Sequence, residues 1–166
     1  MLKISNKKGI SAIVATVLII LITVAAVTII WAAIIPMVSN QLEKGTQCLD
    51  ATQQITLPNA GYTCTDAAGT YFQLKRGGND AGIMDIIVSV TFENGTSISY
   101  SLEDASSGLL YADGTTAVTS MPEAGEMTTY LAPGPSVSIS AAPKIVIGNE
   151  EVACDTAATI QPNPCA

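Results

Sequence analysis

The 166-residue chain has no histidine, and only two Phe, one Trp and five Tyr. Histidine is the commonest general base near neutral pH and a favoured transition-metal ligand, so its absence removes the usual centre of such chemistry. With so few aromatic rings, a core has to be built mainly from Ile, Val, Leu and Ala. Positive charge is also scarce. Residues 49–166 carry thirteen Asp and Glu against three Lys and Arg. Nucleic acid needs a basic surface to displace its counterions, so this balance argues against such a partner. It suits a solvated exterior that repels its own copies.

Cysteine is sparse but informatively placed. Cys48, Cys64, Cys154 and Cys165 all follow the apolar segment described below, and none forms a CxxC pair. Without histidine, no mixed zinc site can be completed from them. Four cysteines in an exported region imply two disulfides, for which three connectivities are open. Pairing Cys48 with Cys64 and Cys154 with Cys165 closes the shortest loops and is the favoured arrangement.

What the chain has in abundance is one long apolar run. From Gly9 to Leu42, 34 residues pass without a charge. Ile10 to Ile35 is apolar on every side of a helix, as in a membrane span or the inside of a larger body. Such a helix rises about 39 Å, more than the ~30 Å hydrocarbon layer. The hydroxyls of Ser11, Thr16, Thr23 and Thr28 can bond back to the preceding turn. A secretory signal has a shorter apolar region followed by a small-residue cleavage site, and neither feature is present before Pro36. Lys3, Lys7 and Lys8 stand in front of the run and should stay cytoplasmic, which directs the rest of the chain outward. Small residues four apart (Ser11 and Ala15, Ala12 and Thr16, Thr28 and Ala32) permit close helix approach. Pro36 predicts a kink or a stop. If the helix resumes, Gly45 is its expected terminator.

The sequence "KKG" followed by "ISAIVATVLIILITVAAVTIIWAAI" resembles the class III signal and N-terminal helix of archaeal type IV pilin-like proteins, a superfamily that includes archaellins. The resemblance covers about residues 1–38. It implies cleavage by a membrane prepilin peptidase between Gly9 and Ile10, with Lys7, Lys8 and Gly9 as recognition residues. The helix then stays on the mature protein, first as anchor and later as filament core. Bacterial type IV pilins usually carry glutamate at the fifth mature position, where this chain has Val14. That departure favours the archaeal branch.

Beyond Cys48 the pattern changes to short β-rich runs. "IMDIIVSVTFENGTSISYSL" predicts a hairpin about Asn94-Gly95, and "KIVIGNEEVAC" another about Gly148-Asn149. "TTAVTSM", "MTTYLA" and "SVSISA" read as further strands, punctuated by "APGP". Short strands at this spacing suggest a β-sandwich or small open barrel. Asn94-Gly95-Thr96 is also a sequon, which makes Asn94 an N-glycosylation candidate.

Several acidic groupings invite a chemical reading: Glu103-Asp104, Glu123 with Glu126, and Glu150-Glu151 near Asp155. None fits the calcium-loop pattern, and adjacent acids on a strand point to opposite faces. "KRGGNDAG" lacks the ending of a phosphate loop, so Lys75-Arg76 reads as loop surface. No catalytic, metal or cofactor site is indicated, and the chain is not expected to be an enzyme.

The expected fold class is α+β: a long N-terminal hydrophobic helix followed by a β-rich, sandwich-like domain. The expected division is a cleaved signal over 1–9, the helix over 10–47 and an extracellular head over 48–166. The expected function is that of a structural subunit of an extracellular archaeal type IV pilus, used for surface adhesion by family implication. Its partners would be other copies of itself, the prepilin peptidase, the pilus assembly ATPase with its membrane platform, and the cytoplasmic membrane before assembly. An archaellin-type motility filament subunit and a monomeric membrane-anchored surface protein are the alternatives.

Overall fold

The computed structural model describes residues 12–59 and 61–165. Lys7, Lys8, Gly9 and Ile10, the residues of the expected cleavage site, lie outside them, as does Ser11. The chain divides into two compact units, with the boundary between Glu43 and Lys44.

One helix, α1, runs from Ala12 to Gln53. Its apolar part holds neither Gly nor Pro before Pro36, and its threonines do not compete with the backbone. The hydroxyls of Thr16, Thr23 and Thr28 donate to the carbonyls of Ile13, Ile20 and Ala25, each at 2.9 Å. Two expectations about its length are corrected. The helix continues through Pro36, so that proline is not a stop, although it leaves the Ala32 carbonyl without its usual donor. It also continues through Gly45, for eight residues past the expected terminator.

Glycine in a helix interior costs about 1 kcal/mol relative to alanine, and packing in the β-rich unit outweighs this. Ala51 is fully buried in the core, Cys48 is disulfide-bonded, and Lys44 Nζ lies 2.7 Å from Glu150. The last turns of the helix therefore belong to the β-rich unit, which begins earlier than the expected Cys48.

The remaining chain forms two sheets. The first contains β1 (Ile55–Thr56), β2 (Cys64–Thr65), β3 (Gly69–Arg76), β6 (Leu110–Tyr111), β7 (Met127–Pro133) and β11 (Asn163–Pro164). Its order is β11-β2-β3-β7-β6, with β1 also on β3. The second contains β4 (Ile83–Phe92), β5 (Ser97–Ser101), β8 (Ser136–Ile147), β9 (Glu150–Ala153) and β10 (Ala158–Ile160). Here the order is β10-β8-β4-β5, with β9 also on β8. All pairs are antiparallel except β11 with β2. A 3₁₀ turn, Ala105–Ser107, is capped by Asp104.

The alternation of apolar and polar residues along each long strand makes these two sheets bury a common core. Ile86, Val88 and Val90 of β4 and Ile139, Ala141 and Ile145 of β8 are buried, as are Phe72, Leu74, Tyr130 and Ala132 of β3 and β7. Each large apolar side chain so buried contributes about 1.5–3 kcal/mol. Three of the scarce aromatics sit together: the Tyr130 ring lies 5.6 Å from Phe72 and 5.8 Å from Tyr111. This is the expected α+β layout of an apolar helix followed by a two-sheet domain.

Both expected hairpins form. Thr91 pairs with Ser97 across the Asn94-Gly95 turn, and Ile147 pairs with Glu150 across Gly148-Asn149. In the first, Gly95 alone takes the left-handed conformation, at φ 81°. Its N–H donates to the Phe92 carbonyl, and the Phe92 N–H to the Thr96 carbonyl. The loop is thus of the longer type that ends in a left-handed glycine.

Three further expectations fail. The disulfides are interleaved, Cys48–Cys154 and Cys64–Cys165, in place of the local pairing. Loop-closure entropy changes only slowly with length, so strand pairing decides the matter. β11 lies beside β2 with Asn163 opposite Cys64, and Cys165 N–H donates to the Thr65 carbonyl. The second failure is "TTAVTSM", which is loop apart from one bridge at Ala117. Its apolar signal came from Val118, a fully buried loop side chain. The third is Arg76, which is no loop residue. It ends β3, is buried, pairs with Asp80 at 2.6 Å and donates to the Pro122 carbonyl at 3.2 Å.

Candidate functional site: the exposed apolar helix

From Ala12 to Glu43 no helical residue is buried. Ile19, Ile20, Leu21 and Ile22 are each about 60 % exposed (60, 59, 60 and 66 %). Four successive helical residues point about 100° apart, so these side chains cover the whole circumference. Trp31, Ile34 and Ile35 extend the exposed apolar surface toward Pro36. The segment 12–35 spans about 36 Å along its axis, enough to cross a bilayer. Single exposed apolar residues are ordinary, but a continuous patch of this size marks a contact with lipid or protein. Because the threonine hydroxyls are bonded within the helix, they present methyl groups and no unpaired donor. Ala12 with Thr16, and Thr28 with Ala32, form two small-residue spots on the surface.

The acidic residues do not converge into a reactive centre. Among the described residues, no group of three His, Cys, Asp or Glu could hold a metal ion. Most of the acids noted above instead tie down their own neighbourhoods. Glu103 accepts from the Met121 N–H, and Glu126 from the Glu123 N–H, both at 2.9 Å. Glu150 pairs with Lys44 and Glu151 with Lys144. The Lys44 partner holds the Glu150 carboxyl below its usual range, while Glu151 pushes the Lys144 ammonium up. Asp104 is lowered by its bonds to Ser106.

An open groove of about 270 Å³ does contain Asp85, Glu103, Asp104, Lys144 and Glu151. Asp85, however, is committed to structure: it accepts from Ser101 Oγ and from the Ile86, Leu102 and Glu103 amides. Sequence reasoning missed Asp85, since nothing in its local pattern announces contacts sixteen residues away.

The outer face of β4 and β5 carries no charge over most of its length. Ser89 bonds Ser99 at 2.7 Å, and Thr91 bonds Ser97 at 2.9 Å. At its end, Asn94 is exposed at the hairpin tip. No protein-family model matches this chain, and neither the curated proteins nor the solved structures contain a match.

Proposed function

We propose that the chain is a pilin, the structural subunit of an extracellular archaeal type IV pilus. The observation that carries the reading is the helix from Ala12 to Glu43, apolar around its full circumference until near its end and buried nowhere along its length. In this reading the surface meets two successive environments: lipid before assembly, and neighbouring copies of the same helix afterwards. Subunits joined by a repeated contact that does not close form a filament. The basic leader residues Lys3, Lys7 and Lys8 keep the N-terminus inside until the prepilin peptidase cuts after Gly9. The disulfide-bonded, acidic head then faces the exterior, and its charge keeps finished filaments apart. The assembly ATPase and its membrane platform supply the work of extraction. Surface adhesion is the use the family resemblance implies.

A second reading has support from the same helix: its length also suffices for a permanent anchor of a monomeric surface protein. Electron microscopy of sheared cell-surface material, with mass identification of the subunit, separates the two. Filaments containing this chain support the pilin reading, and their absence from cells that express it leaves the anchor. Ala12→Leu and Ala15→Leu sharpen the distinction, since lipid accepts leucine as readily as alanine. A filament core packed closely at small residues should lose assembly while insertion and processing continue. An anchor should tolerate both changes.

A further inference from the structure

We propose that Asn94 carries an N-linked glycan whose first sugar rests on an apolar shelf beside the hairpin tip. Asn94 lines a groove of about 480 Å³ whose apolar wall is Phe92, Ile98, Pro133, Gly134 and Pro135, with Glu93 and Thr96 as its other polar members. The shelf joins the β4–β5 tip to the turn between β7 and β8. Its proline rings are already rigid, so ordering them on contact costs little. A pyranose presents C–H groups on its faces and hydroxyls at its rim, which matches an apolar floor open to water. Linked to Asn94, the sugar is held beside the shelf at high effective concentration.

The acceptor is arranged for modification. Asn94 Oδ1 accepts from the Thr96 N–H at 2.9 Å and from the Thr96 hydroxyl at 2.7 Å. Both of these bonds fall on Oδ1 and none among the described residues on Nδ2, and the residue is exposed. Glu93 and Asn94 form the turn, and Gly95 supplies its left-handed position, so the tip projects without burying the asparagine.

The donor class is an oligosaccharide linked through phosphate to a membrane lipid. Nδ2 attacks the anomeric carbon and a C–N bond forms. The C–O bond to phosphate breaks, and the lipid phosphate leaves with the electron pair. The proton lost from Nδ2 passes to a base of the transferase. No electrons are exchanged with an oxidant or reductant. Two disulfides in the same domain fit the exported compartment where such donors are used. The proposal requires export but not polymerisation, so its outcome is independent of the filament reading.

The test is peptide mass spectrometry on the exported protein from its own cells. The expected result is a sugar mass on Asn94 that disappears in Asn94→Gln and Thr96→Ala and persists in Thr96→Ser. An unmodified Asn94 in the exported wild-type protein overturns the proposal. For the shelf, hydrogen exchange of amides 92–98 is compared with the same chain made in a host without the transferase. Seating one methylene's worth of sugar should slow exchange about fourfold. Ile98→Ser should shrink that difference while the glycan mass stays. Equal exchange with and without the glycan overturns the shelf contact.

Discussion

Removing the disulfides one pair at a time should expose their interleaving as a measurable coupling. Cys48–Cys154 and Cys64–Cys165 have sequence separations of 106 and 101. In a chain-entropy treatment, either bridge alone restricts the unfolded state by about 4.8 kcal/mol. With one bridge already closed, the second closes a much shorter circuit. That circuit runs along the chain from Cys48 to Cys64, across one bridge, and from Cys165 back to Cys154. It contains about 27 residues, for which the contribution falls to about 3.5 kcal/mol.

Each single-pair variant, Cys48→Ser/Cys154→Ser or Cys64→Ser/Cys165→Ser, should therefore lose about 3.5 kcal/mol from the oxidised protein. The variant lacking all four cysteines should lose about 8 kcal/mol, roughly 1 kcal/mol more than the two single losses together. The local pairing would close two separate loops, and its losses would add without coupling. The assay is urea unfolding of the full chain in detergent, followed by the circular dichroism of the sheets. All four proteins are measured in a stabilising osmolyte, because 8 kcal/mol approaches the whole stability of a small domain. Strictly additive losses, or losses below 1 kcal/mol per bridge, would refute the reasoning.

Other perturbations test other parts of the molecule. N-terminal sequencing of assembled material should begin at Ile10, and a bulky residue in place of Gly9 should leave the precursor uncut; an intact Met1 on filaments refutes this. Val24→Asp should weaken membrane insertion by roughly 2.5–3.5 kcal/mol on insertion scales, read as a reduced inserted fraction. Gly69→Ala would set a methyl carbon 2.7 Å from the Ala132 carbonyl oxygen, a backbone atom that cannot swing away. The expected loss is about 1–3 kcal/mol in the same urea assay, and an unchanged midpoint contradicts the close packing of β3 on β7.

Bonds from Thr116 and Thr115 pull the Asp113 carboxyl down to about 2, against about 3.9 in an unfolded chain. Its stabilising effect is then present above pH ~4 and lost as pH falls through ~2. The difference in Tm between the wild type and Asp113→Asn should shrink over that window, and a difference independent of pH sinks the assignment.

Local pattern determined a good part of this molecule. The charge-free run marked an apolar helix, found from Ala12 onward, because a long apolar segment satisfies its backbone most simply by bonding to itself. Asn94-Gly95 and Gly148-Asn149 announced their hairpins because glycine there adopts a conformation that other residues resist. The alternation in β4 and β8 marked inward and outward faces for the same local reason.

What tertiary structure decided were relations between distant residues. Gly45 looked like an end because helix propensity is local, yet Ala51 and Cys48 draw the helix onward into the core. Arg76 looked like surface because its burial depends on Asp80 and on the carbonyl of Pro122, 46 residues later. Val118 mimicked a strand because burial leaves the same apolar mark on a loop. The cysteine partners could not be read from spacing, since closing a longer loop costs only slightly more than closing a short one. Parallel pairing of β11 with β2 carries the chain's end back to Cys64, and that sheet contact sets the bond.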